Sequence, residues 1–123
     1  MFNRSTLVVF LNRTNEELCL KTPPQQLHQG AWAVDQGPPL SILAGECGLW
    51  KSESRGVGRG TKGSVTYHIA GDAPDQLVLV SWKIPFFGRN SYQGNAPAKG
   101  FNLEVQGGSG THGTVVFIFR NTP

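Results

Sequence analysis

The chain has 123 residues, among them 16 glycines and 8 prolines, with 15% charged residues and a formal net charge of +3. That length suits a single domain over residues 1–123, whose core needs no metal or disulfide staple. So low a charge content excludes a long solvated helix bundle, and unperiodic glycine and proline between short apolar runs favour an all-β chain over a disordered one.

The N-terminal stretch M-F-N-R-S-T-L-V-V-F-L-N-R holds roughly six consecutive non-polar or small positions before Asn12 and Arg13. A signal peptide has a longer apolar region and a small-residue cleavage site, and no stretch approaches the ~20 apolar residues of a membrane helix. The expectation is a soluble chain made in the cytoplasm and released without a classical signal, in which the sequons at Asn3 and Asn12 carry no meaning. Within this stretch Thr6 to Leu11 is a continuous apolar run, the pattern of a strand covered on both faces.

A turn at Arg13 to Glu16 leads to a short partner strand, Leu18 to Lys21, stopped by Pro23-Pro24. Gly30 to Val34 comes next and ends at Asp35 to Pro39; proline pairs on both sides place it at a sheet edge, since proline cannot donate to a ladder. Ser41 to Leu43 and Gly48 to Lys51 bend around Ala44-Gly45. Gly58-Arg59-Gly60-Thr61-Lys62-Gly63 matches the letters G-x-G-x-x-G, but a dinucleotide site requires a helix N-terminus after it. The segment after these glycines alternates instead, with Val65, Tyr67 and Ile69 on one face and Ser64, Thr66 and His68 on the other. The glycines therefore read as a tight hairpin with positive φ. Gln76 to Ile84 is apolar on both faces at first, which marks a central strand, while Phe101 to Gln106 alternates and Thr114 to Arg120 is apolar on both sides. Seven or eight such segments, spaced as in a sandwich or barrel, predict an antiparallel β-sandwich without substantial helix. Phe10, Val65, Tyr67, Leu77, Leu79, Leu103, Val105, Phe117 and Phe119 are the core candidates.

Most groups that carry chemistry are scattered. Cys19 and Cys47 have neither metal-ligand nor Cys-x-x-Cys spacing. Two buried free thiols are the default for a cytoplasmic chain, a bridge between strands is the alternative, and the sequence places neither Cα atom. His28, His68 and His112 fall in different segments, and the acids, including Asp72 and Asp75, fall mostly in apparent turns. No nucleophile elbow is present, so neither an enzyme nor a cofactor or metal is expected. Arg55, Arg59 and Lys62 form a cationic loop within eight residues; a solvated turn is the preferred reading over a phosphate or headgroup contact. With Arg89 and Lys99 they make no dense stripe, which counts against nucleic acid.

The aromatic set is more informative. Trp82 ends the central strand, Pro85-Phe86-Phe87 leaves it, and Gly88-Arg89-Asn90-Ser91-Tyr92 turns back. Successive side chains of an extended segment alternate, so Phe86 and Phe87 cannot both point inward. One exposed ring beside Arg89 and Tyr92 resembles the belt used at lipid interfaces; the alternative is a lid on the end of the sandwich, and both hold if one ring points in and one out.

From about Gly30 to Phe119 the chain resembles the aegerolysins, nearest to the aegerolysin-like small components of two-part insecticidal crystal toxins. The resemblance rests on Gly30-Ala31-Trp32, on Gly60-Thr61-Lys62-Gly63, on Pro85-Phe86-Phe87-Gly88-Arg89-Asn90-Ser91-Tyr92-Gln93-Gly94 and on Gln106-Gly107-Gly108-Ser109-Gly110, in that order. It implies an actinoporin-like β-sandwich that binds a target membrane, by lipid or receptor, and permeabilises it with a larger partner protein. The implied target is a gut epithelial or sphingolipid-containing membrane, and self-association is possible. The residues carried over by position are Trp32, Trp82, Phe86, Arg89, Asn90 and Tyr92, to which the aromatic pattern adds Phe87. Lys62 departs from the family's usual acid, Lys83 sits beside Trp82, and a pI near 9.1 is basic for the group. The competing class is a carbohydrate-binding lectin on the same sandwich, with Trp50, Tyr92 or Trp82 as a stacking platform.

Overall fold

Strands with one apolar and one mixed face bury the apolar side by stacking in two sheets. The computed structural model, which describes residues 4–21, 27–71 and 76–123, meets that need with ten strands and, among those residues, no helix. They are β1 (Ser5–Arg13), β2 (Leu18–Leu20), β3 (Ala31–Trp32), β4 (Ser41–Ile42), β5 (Cys47–Glu53), β6 (Thr61–Ile69), β7 (Leu77–Ile84), β8 (Ser91–Asn95), β9 (Phe101–Gly107) and β10 (His112–Asn121). One sheet has the order β3-β5-β1-β10-β9 and the other β4-β2-β6-β7-β8. The all-β sandwich is as expected, with β3 at an edge. The Pro23-Pro24 stop, the Asn3 sequon, Asp72 and Asp75 lie outside the described residues.

Several local expectations are corrected by the way the chain changes sheets. β2 does not pair with β1, and the segment between β5 and β6 steps from one sheet to the other instead of closing a hairpin. Positive φ there belongs to Gly56 and Gly58, not to Gly60 or Gly63. β1 and β10, the first and last strands, run parallel, Ser5 opposite His112 and Arg13 opposite Arg120, within otherwise antiparallel sheets. A parallel pair requires a crossover, and the whole intervening chain supplies it. β8 falls in the stretch expected to be a loop, because S-Y-Q-G-N carries little apolar signal for an edge strand.

Side-chain parity settles the core. On β7, Val78, Val80, Trp82 and Ile84 are buried, whereas Leu79 is 38% exposed and Leu77 half-buried. Ser81 and Lys83 share their parity, so Leu77 and Leu79 face outward with them and leave the core list. β1 turns Thr6, Val8, Phe10 and Asn12 inward, and its outer Leu7, Val9 and Leu11 are half-buried rather than covered by another layer. Leu103 and Val105 are half-buried against the core. Cys19 and Cys47 are free, but Cys19 is half-buried and Cys47 exposed, which corrects the expectation of two buried thiols.

The core is built on aromatic rings. Phe101 stacks on Phe119 at 5.1 Å, Phe119 meets Phe10 at 6.2 Å, Phe10 meets Trp50 at 6.5 Å, and Trp50 meets Trp82 at 6.3 Å. Trp32 extends the row at 5.9 Å from Trp82, and Tyr67 fills its flank, 6.2 Å from Phe10 and 6.1 Å from Trp50. Tilted and offset rings at these separations are favourable beyond their buried area. Most polar groups inside are tied, the exceptions among the described residues being Thr6 Oγ1 and Trp50 Nε1. Trp82 Nε1 donates to Ser52 Oγ at 2.8 Å across the sheets, and Thr61 Oγ1 lies 2.9 Å from that oxygen and 3.2 Å from the Gln29 carbonyl. Tyr67 donates to the Pro39 carbonyl at 2.6 Å. Asn12, 1% exposed, donates to the Glu16 and Ile42 carbonyls at 2.8 and 3.2 Å, so its sequon has no room for a glycan.

Two measurements test this core. Ser52→Ala strands the buried Trp82 N–H, so a denaturant titration should show a loss of about 1–3 kcal/mol; no loss would mean that the bond does not hold the sheets. Burial pushes the Tyr67 phenol well above its ordinary range. The unfolded chain therefore ionises first, and stability should be full below pH ~10 and fall as pH rises above it. Tyr67→Phe should cost about 0.5–1.5 kcal/mol at neutral pH and flatten that alkaline decline; an unchanged decline would count against the buried phenol as its source.

Candidate functional site

The strand registers bring Ser5, Glu53 and His112 of one sheet, and Thr61, Ile84 and Ser91 of the other, to the same pole. Arg4 and the segments 54–60, 85–90 and 108–111 cap it. All four motifs of the aegerolysin resemblance contribute there. Gln29, beside Gly30, forms an isolated bridge with Lys62, and Trp32 lies against Trp82. The stretches 85–94 and 106–110 meet directly: Asn90 Nδ2 donates to the Gly110 and Gly108 carbonyls at 2.9 and 3.3 Å, and the Tyr92 hydroxyl donates to Gly108 at 2.8 Å. The Tyr92 ring lies so close over Gly107 that a Cβ there would overlap it. Burial pushes the Tyr92 hydroxyl up, with partial offset from the Asn90 amide. Asn90 and Tyr92 thus brace the 108–111 loop.

The other expected site residues divide between interior and surface. Trp82 is 1% exposed and is corrected from a rim residue to a core one: its indole lies between the sheets, its N–H spent on Ser52. Trp32 is half-buried and buttresses it. Phe86 is half-buried under the Arg4 guanidinium, which stands 4.6 Å from the ring centroid and donates to the Phe86 carbonyl at 3.3 Å. Phe87 meets Phe86 edge-on at 4.6 Å and is 84% exposed. One ring in and one out is the arrangement that alternation requires. Arg89 is exposed, and with Arg4, Phe86, Asn90 and Tyr92 it lines an open groove of about 960 Å³.

The cationic loop flanks this groove. Arg55 reaches Glu53 at 3.6 Å, while Arg59 and Lys62 are exposed and in no ion pair among the described residues. Between the two arginines stands Val57, 76% exposed. Sequence reasoning missed Val57 and Arg4. The signal for Val57 was an apolar residue isolated in S-R-G-V-G-R-G, with no strand to hide in; Arg4 left no signal, because its partner Phe86 is 82 residues away. The histidines stay apart: His28 is exposed near Lys62, His68 is half-buried on β6, and His112 Nδ1 lies 2.6 Å from Ser5 Oγ. No group of three or more His, Cys, Asp or Glu side chains gathers as a metal site among the described residues, and no helix there is long and apolar enough to cross a membrane. The pole offers a concave, hydrogen-bonded groove beside two apolar tips set among cations.

No family model matches the chain, and no curated protein matches its sequence. Solved structures do match. The crystal structure of the lipid-binding protein Nakanori has a TM-score of 0.79 at 13% identity, with 94% of this chain and 70% of that one covered. RahU protein, crystallised in complex with a TRIS molecule, has a TM-score of 0.77 at 14% identity, with 98% and 96% covered. At such identities the likeness shows the fold alone, and that fold is consistent with the aegerolysin architecture implied by the four motifs.

Proposed function

We propose that the protein binds membranes through this pole, as the targeting component of a pore-forming toxin that permeabilises the membrane with a larger partner protein. The observation that carries the reading is the pair of apolar tips, Phe87 at 84% and Val57 at 76% exposure, set in a ring of basic side chains. An isolated exposed aromatic gains by entering the headgroup region, where flanking cations stay hydrated or meet phosphates. The fold shared with a lipid-binding protein supports the same reading. The ordered motifs support the finer one: a binary toxin, insecticidal in its target, acting on gut epithelial or sphingolipid-containing membranes. The lectin alternative loses two of its three platform rings, because Trp50 and Trp82 are each 1% exposed.

Vesicle flotation with Phe87→Ala tests the proposal. Full burial of a phenylalanine is worth about 1.5–3 kcal/mol, so binding should fall by about tenfold or more, while stability stays within ~0.5 kcal/mol as for other exposed sites. Unchanged binding, or no binding of the parent protein to any lipid or epithelial membrane, would sink it. Tyr92→Ala, by contrast, should lower both binding and stability, because the ring braces the 108–111 loop. The toxin reading expects a larger protein that releases entrapped dye only from vesicles already carrying this chain; saturable glycan binding without membrane binding would favour the lectin.

A further inference from the structure

Cations are concentrated at one pole of the molecule, while the other carries a balanced mixture that includes Arg13, Lys99 and Arg120. Arg4, Arg55, Arg59, Lys62, Lys83 and Arg89 lie at the pole of Phe87 and Val57, where the one acid among the described residues, Glu53, is engaged by Arg55. Glu16, Glu17 and Glu46 lie at the other pole, around the buried Asn12, whose side-chain amide donates to the Glu16 carbonyl and whose backbone N–H donates to that of Glu46. A second observation concerns the placement of two of those cations. Lys62 and Lys83 are direct cross-strand partners on β6 and β7, both exposed, and neither is in an ion pair among the described residues. Like charges directly opposite one another in a sheet are destabilising. An anionic surface laid against the pole relieves that repulsion.

We infer that this pole selects bilayers with a net negative surface over zwitterionic ones. Lys62, Lys83, Arg59 and Arg89 meet lipid phosphates and carboxylates while Phe87 and Val57 enter the interface. The inference rests on the proposed membrane binding and narrows it to net-anionic lipids, which sets zwitterionic sphingomyelin aside as the preferred target. A bilayer fits better than a nucleic acid, the other extended polyanion. Single-strand binding needs a row of aromatic faces along a basic track, whereas here one exposed ring and one valine stand apart as tips. The excess of cations at this pole also orients approach, over distances set by the Debye length.

The test compares flotation with vesicles of phosphatidylcholine alone, of phosphatidylcholine with phosphatidylserine, and of phosphatidylcholine with sphingomyelin and cholesterol. Each is run at salt of about 0.1 M and about 1 M, where the Debye length is about 10 Å and about 3 Å. Binding to the serine-lipid vesicles should exceed the other two by tenfold or more at low salt and lose that margin at high salt. Each basic residue near a negative leaflet is worth a factor of about five. Lys62→Glu, which reverses one charge, should therefore cut binding to serine-lipid vesicles about tenfold or more. It should weaken phosphatidylcholine binding far less than serine-lipid binding, and raise the thermal midpoint by pairing with Lys83. Arg59→Ser should weaken the same binding about fivefold. Equal binding to all three compositions, or a preference untouched by Lys62→Glu, would overturn the selectivity and leave the membrane reading standing. Absence of binding to every vesicle would overturn both, as would salt-sensitive capture of single-stranded DNA without any vesicle preference.

Discussion

Burying an indole between two sheets is costly unless its N–H finds a partner and a neighbouring strand gives up a side chain to make room. Trp82 meets both conditions. Ser52 of the opposing sheet accepts its hydrogen bond, and Gly63, its cross-strand partner, has no Cβ to strike the ring. That arrangement fixes the β6–β7 register and bolts the two sheets together at the basic end. Two residues after Trp82 the chain leaves the strand at Ile84-Pro85, so the position of the indole sets where Phe86 slides under Arg4 and where Phe87 emerges. The binding surface is thus the outward continuation of a buried bond.

Much of this fold was legible in the sequence, since alternation survives wherever one face is wet. Val65, Tyr67 and Ile69 went inward as their spacing required, and β3 lies at an edge as its flanking prolines implied. Strands rich in aliphatics on both faces were the hard case. In β7 the polar residues that reveal parity, Ser81 and Lys83, come after the ambiguous leucines, and in β1 the outer leucines and valine are shielded by one another and by Leu49 and Val116 across the ladder. The pairing of segments was less legible still. Neighbours in sequence usually form hairpins, whereas here the turns after β1, β4 and β5 each carry the chain to the other sheet.

For the site, ordered motifs located the pole but not the roles of its members. Within those motifs Asn90 and Tyr92 hold a loop in place, through Gly110 and Gly108, whereas Trp82, outside them, ties strand to strand through Ser52. Residues that meet solvent need no particular partner, so Val57 left only the faint mark of an apolar letter among glycines and arginines. The Lys62–Lys83 opposition became visible only when the register was known.

The parallel ladder between β1 and β10 bears on how the molecule comes into being. Ser5 and His112, hydrogen-bonded at the head of that ladder, are 107 residues apart in the chain. The middle of one sheet therefore cannot close until the last strand has left the ribosome, and pairings so distant in sequence make for slow, all-or-none folding. Until then β1 presents an open edge bearing Leu7, Val9 and Leu11, the kind of edge on which chains aggregate. A nascent or truncated form lacking β10 is thus a client for chaperones, and no half of this sandwich is a folding unit in its own right.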